Sequence, residues 1–214
     1  MNLDRWNDPT TTGLIRIKIC GLCEAADIEA AKLAGADAIG LVLADGSPRR
    51  VTDSLAKTLA SLVSNRMTTI SLMVNPSAGD VRNRCTPWIQ LHGQEDANCV
   101  ALAAETGPVI RAVAFDDTDA IRQWDADPHV ARILIDGHRG GSGVRFDHDA
   151  FAEVAATIKT PWILAGGLDP DHVAKAIHTL HPWGVDVSSG VESVRGIKDP
   201  ARITAFCEAV HAAS

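Results

Sequence analysis

The sequence predicts an α/β fold, a single (β/α)8 TIM barrel with a parallel eight-stranded barrel and outer helices, and three observations carry that expectation. Short apolar runs and helix-like stretches alternate along all 214 residues. The runs are continuously apolar, as in parallel strands buried on both faces, where an exposed strand would alternate. No linker-like or low-complexity stretch breaks the rhythm, so eight strand–helix units of about 27 residues each make a lean barrel. The alternative, an open doubly wound sheet, more often has about five or six strands.

The elements follow in order. Residues 1–13 are polar, with Pro9 and three threonines in a row, and read as a loose N-terminal arm ahead of a barrel spanning 14–214. LIRIKI (14–19) is the first strand, followed by the Ala-rich helix EAADIEAAKLA, which Gly35 stops. DAIGLVL (37–43) is the second strand, and Thr52 opens a helix with Leu55, Leu59, Leu62 and Val63 on one face. TTISLMV (68–74) precedes a short polar helix, and WIQL (88–91) precedes ANCVALAAE (97–105). PVIRAV (108–113) leads to DTDAIRQW, and VARILI (130–135) to AFAEVAATI (150–158). PWILA (161–165) precedes a helix with Asp169 as N-cap and Pro170 in its first turn, burying Val173, Ile177 and Leu180. GVDVS (184–188) leads to Asp199-Pro200 and a helix whose Ile203, Phe206, Cys207 and Val210 have amphipathic spacing.

Composition narrows the function. Hydrophobic residues make up 46% but aromatics only 4%, with no Tyr, so the interior is expected to be aliphatic. Twenty basic residues against 27 acidic ones give a net charge of −7, which argues against a nucleic-acid partner. No apolar run reaches the roughly 20 residues of a membrane span. MNLDRWNDPTTTG lacks the apolar segment of a signal peptide, and five Cys form an odd count, so reduced thiols in a cytoplasm are expected. Monomer and homodimer are both left open.

In such a barrel the chemistry sits at the C-terminal ends of the strands. GGSG (140–143), AGGL (165–168) and SSGVE (188–192) place bare backbone amides after the sixth, seventh and eighth strands. One such cluster would be a tight turn. Three on adjacent strands point to a phosphate cradle. Cys20 and Asp136 end the first and sixth strands and are the reactive candidates. A small buried hydrophobe remains open for the first, and a turn cap for the second. Cys20 and Cys23 form a CxxC without a second half-site, so neither a metal site nor a redox motif is expected. His178 and His181 read as a solvated helix end. Arg49, in SPRR after the second strand, could aim its planar fork at a carboxylate.

KICG (18–21), SPR (47–49), QLHG (90–93), LIDG with GGSG (134–143), LAGGL (164–168) and DVSSGVE (186–192) together resemble the N-(5′-phosphoribosyl)anthranilate isomerases. GIKDPARITAF (196–206) is similar to that family's closing helix, so the likeness runs from Ile17 to about Val210. The resemblance implies an Amadori rearrangement of N-(5-phosphoribosyl)anthranilate in tryptophan biosynthesis, with no cofactor and no metal. It puts Cys20 in the place of the general base and Asp136 in that of the general acid. Arg49 falls on the arginine that holds the anthranilate carboxylate. Gly166, Gly167, Ser189 and Gly190 would hold the phosphate, with the loop through Gly141, Ser142 and Gly143 closing nearby and His92 and Asp186 lining the pocket. The chain departs from the family pattern at Cys23, Arg50, Val144 and Arg145. The alternatives are another sugar-phosphate barrel enzyme, or a barrel that binds a phosphate without catalysis. The first should show a half-barrel repeat or a catalytic Lys and Glu, and the second needs no acid–base pair.

Overall fold

The computed structural model describes residues 5–7, 13–63, 67–137 and 148–214. Eight parallel strands close into a barrel in sequence order. They are β1 (Arg16–Cys20), β2 (Ala38–Val42), β3 (Thr68–Met73), β4 (Trp88–Leu91), β5 (Val109–Ala114), β6 (Val130–Asp136), β7 (Trp162–Ala165) and β8 (Gly184–Val187). Strand β8 returns to β1 with Asp186 opposite Lys18. The helices between them are α1 (Ala25–Leu33), α2 (Asp53–Ser61), α3 (Ala78–Asn83), α4 (Ala97–Thr106), α5 (Thr118–Asp125), α6 (His148–Ala155) and α7 (Val173–Leu180), and α8 (Pro200–Ala213) closes the chain.

The strands face two cores because their side chains alternate. Outward residues such as Ile17, Ile39, Leu91 and Ile135 pack against the helices in a mainly aliphatic layer. Inward residues Ala38, Ile70, Trp88, Ile110, Leu134 and Ile163 fill the barrel itself. That inner core corrects the aliphatic expectation. Its floor is built of tryptophans, with Trp6 edge-on to Trp88 at 6.0 Å and to Trp183 at 5.0 Å. Three of the five tryptophans meet at this end of the barrel.

Trp6 comes from the stretch expected to be a loose arm. It is 0% exposed. Its neighbours fasten it: Arg5 pairs with Asp37 at 3.3 Å, and Asn7 accepts from Trp88 Nε1 at 2.9 Å while donating to Thr68 Oγ1 at 3.1 Å. A polar sequence with one Trp has no periodicity, so the plug was not visible in the pattern.

Three local differences have clear causes. On α2 the buried line is Ala56 and Leu59, whereas Leu55 and Leu62 are exposed. Ala56 carries so little side chain that this face can approach the barrel closely. Helix α7 starts at Val173, because the Asp169 carboxylate accepts from the amides of Asp171 and His172 and makes a separate lead-in turn. Between β8 and α8 lie a short 3-10 turn (Ser189–Val191) and an unexpected antiparallel hairpin, β9 (Glu192–Val194) and β10 (Ile197–Lys198). Strands of three and two residues are too short to show a period. Asp199 caps α8, with Pro200 in its first turn.

Substituting Trp6 by Ala should cost about 3–5 kcal/mol, the usual cost of emptying an aromatic core site. Urea unfolding at 25 °C measures this. A stability change under about 1 kcal/mol would show that the plug contributes little.

Candidate active site

Strand β1 sends Lys18 and then Cys20 up the inside of the barrel, because alternate residues share a face. Cys20 is 4% exposed and lines a cavity of about 510 Å³ at the C-terminal ends of the strands. That volume is within the usual range for a small-molecule site. Burial pushes the Cys20 thiol above its ordinary value, nearby Lys18 pulls it back, and Asp186 adds to the rise. Gly40 stands beside Cys20 on β2. A Cβ on Gly40 would lie 2.6 Å from the Cys20 sulfur, so this mid-strand glycine makes room for the thiol.

Asp136 ends β6 and lines the same cavity. His92 reaches it from the end of β4, with Nε2 3.2 Å from Oδ2. Buried Gln90 donates from Nε2 to His92 Nδ1 at 2.9 Å, leaving the ring proton on Nε2 to be donated to Asp136. Gly166 closes in from the other side. Its φ is +86°, and a Cβ there would lie 2.5 Å from Asp136 Oδ1.

Arg49 points into the cavity from the loop after β2, its stem crossing Gly21, where a Cβ would meet Arg49 Cδ at 2.5 Å. Its fork binds a carboxylate, but that of Glu192 on β9: Nε donates to Oε1 at 2.6 Å and Nη2 to Oε2 at 2.9 Å. Lys198 Nζ also donates to Glu192 Oε1 at 2.9 Å, and the Gly196 amide to Oε2 at 3.0 Å. Burial alone would raise the Glu192 carboxyl, but these donors outweigh it and hold it at about 2. The hairpin absent from the sequence reading is therefore the bracket that fixes Arg49.

The two glycine-rich loops within the described residues both reach the cavity. Gly166, Gly167 and Leu168 after β7 and Ser188 and Ser189 after the neighbouring β8 line the cavity side by side. Gly190 does not line it. A Cβ on Gly190 would lie 1.9 Å from the Leu168 carbonyl oxygen, so its part is to let the loops touch. Asp186 lines the cavity while holding Lys18 Nζ at 2.8 Å. Gly141, Ser142 and Gly143 lie outside the described residues.

Thus Cys20, Arg49, His92, Asp136, Gly166, Gly167, Asp186 and Ser189 share one cavity. Lys18, Gln90 and Glu192 had no assigned role in the sequence reading. Their signal was faint but present: each is a charged or amide group inside an otherwise apolar strand or a motif.

A family model for N-(5′-phosphoribosyl)anthranilate isomerase matches residues 17–209. The chain belongs to the N-(5′-phosphoribosyl)anthranilate isomerase family. It is 43% identical over 206 residues to the N-(5′-phosphoribosyl)anthranilate isomerase of Paracoccus denitrificans, covering 90% of this chain and 95% of that one. It superposes on the crystal structure of TrpF from Jonesia denitrificans with a TM-score of 0.81, at 39% identity and 92% and 96% coverage. A phosphoribosyl anthranilate isomerase crystallised with reduced 1-(o-carboxyphenylamino)-1-deoxyribulose 5-phosphate gives a TM-score of 0.82 at 27% identity, covering 92% of this chain and 98% of that one. In this member of the isomerase family the Cys20–Asp136 cavity is the opening of the barrel that the motifs surround.

Glu192 gives a test with a definite sign. Its carboxyl lies at about 2 in the fold against about 4.3 in an unfolded chain, so its stabilisation is complete above the higher value and is lost as pH falls from there toward the lower. Denaturant unfolding should show the protein more stable than a Glu192→Gln variant by a constant margin between pH 5 and 7, about 3 kcal/mol in size. The margin should shrink between about pH 4 and pH 2. A margin that grows on acidification would contradict the bracket.

Proposed function

We propose that this chain converts N-(5-phosphoribosyl)anthranilate into 1-(2-carboxyphenylamino)-1-deoxyribulose 5-phosphate, with residues 14–214 as the catalytic barrel. The observation that carries the reading is the convergence of a thiol, a carboxyl group, an Arg fork and two glycine-rich loops on one cavity within a chain of this family. Asp136 is assigned as the general acid. Its proton passes to the ribose ring oxygen, the C1′–O4′ bond breaks, and the anilino nitrogen lone pair forms the C1′=N bond of an iminium ion. The C2′ hydrogen is then acidic. Cys20, as thiolate, takes that proton, and the C2′–H electrons form C1′=C2′ while the iminium nitrogen regains its lone pair. Addition of a proton at C1′ and loss of one from the 2′-hydroxyl complete the ketone. Proton transfer by positioned groups accounts for each step.

His92 hydrogen-bonds to the acid and is 32% exposed, which suits it to return a proton from solvent to Asp136. Arg49 keeps its Nη1 nitrogen for the anthranilate carboxylate while Glu192 occupies Nε and Nη2. The amides after β7 and β8 would hold the phosphate, so a chain of net charge −7 can take a dianion at a local site. Five free thiols and the absence, among the described residues, of a helix able to cross a membrane accord with a cytoplasmic enzyme.

A fluorescence assay of freshly made phosphoribosylanthranilate tests the reaction: folded protein should consume it, and no turnover would overturn the assignment. Cys20→Ser and Asp136→Asn should each lower kcat by about a hundred- to ten-thousand-fold while a reduced product analogue still binds. A near-normal rate in either variant removes that residue's role.

A further inference from the structure

Lys18 poses a physical question that the fold does not answer. Its ammonium is wholly buried in the barrel, two residues before Cys20 on the same strand face. A buried charge is tolerated only when paired, and Asp186, its register partner on β8, provides a 2.8 Å contact. An apolar pair of similar volume is often as stable as such an ion pair, so stability alone does not explain it.

The surroundings of the pair point to Cys20. Lys18 Nζ stands near enough to the Cys20 sulfur for its charge to favour the thiolate. Both heads converge on the empty side of Gly40, where a Cβ would lie 2.6 Å from the sulfur and 3.2 Å from Nζ. Any side chain at position 40 would force the two apart. The other charged groups around the sulfur are Lys198 on β10 and Arg49 beyond β2, the latter already bound to Glu192. His92 and Asp136 face it across the cavity.

We propose that Lys18 is the positioning residue that makes Cys20 a base: held by Asp186 and admitted by Gly40, its ammonium is the fixed counter-ion of the Cys20 thiolate. This rests on the assignment of Cys20 as the base. As thiolate, ammonium and carboxylate, the trio carries one negative charge. When sulfur takes the C2′ proton that charge is discharged, and Lys18 remains paired with Asp186. The two partners act on the thiol in opposite senses, the cation favouring thiolate and the carboxylate opposing it. That opposition distinguishes an electrostatic role from a structural one.

The test is a titration of Cys20 by thiolate ultraviolet absorbance, taken as the difference between the protein and its Cys20→Ser variant. Lys18→Met should raise the midpoint by a unit or more, which is at least about tenfold less thiolate at a given pH. Asp186→Asn should lower it. The turnover of Lys18→Met should fall while binding of a product analogue weakens less. If Lys18→Met fails to fold with Asp186 unpaired, the neutral Lys18→Met/Asp186→Asn pair replaces it, and its midpoint should still lie above that of the unaltered protein. Midpoints that stay in place, or move in the same direction in both single variants, overturn the proposal. Full turnover by Cys20→Ser would instead remove the base assignment, with the titration still reporting on Lys18.

Discussion

Closure of the barrel at the β8–β1 seam is the constraint on which everything else depends. Until β8 returns to β1, both edges expose unpaired backbone groups, and the eight strand ends do not face one another. The seam is also where Lys18 lies opposite Asp186. One buried ion pair therefore joins the first strand to the last, and it lies directly beneath Cys20. The cost of burying those charges is offset by their 2.8 Å contact.

The two ends of the barrel solve opposite problems. The lower end must exclude water, and Trp6, Trp88 and Trp183 close it with ring edges against ring faces. The upper end must admit a charged ligand, and it does so largely with glycine and with cations already paired. Arg49 and Lys198 both lean on Glu192, so the opening carries positive donors without a bare positive field. Glycines recur there for a steric reason: at 21, 40, 166 and 190 a Cβ would collide with a neighbouring side chain or carbonyl. They let strands and loops approach to within reach of a small substrate.

Much of this was legible in the sequence, and the exceptions share a cause. All eight strands and their helices follow from apolar runs, and Cys20, Arg49, His92 and Asp136 sit where motifs at strand ends place them. What stayed hidden depends on partners distant in sequence. Trp6 is one residue in a polar arm, and its burial requires Trp88 and Trp183. Glu192 was visible at the end of DVSSGVE, but its hold on Arg49 spans 143 residues and needs the short hairpin. On α2, Leu55 and Leu59 as well as Ala56 and Leu59 fit a helical stripe, and only packing against the barrel selects the second. At Gly190 the glycine-rich motif gives no hint of the close approach to the Leu168 carbonyl, which only the folded loops reveal.

The central claim is that a thiolate on β1 removes the C2′ hydrogen as a proton. Turnover in deuterated water of substrate with protium at C2′, followed by magnetic resonance of the product, tests it most directly. Proton removal predicts solvent deuterium at C1′ of the product and a slower chemical step when C2′ carries deuterium instead. Complete transfer of the original hydrogen from C2′ to C1′, at a rate unaffected by Cys20→Ser, would contradict the account.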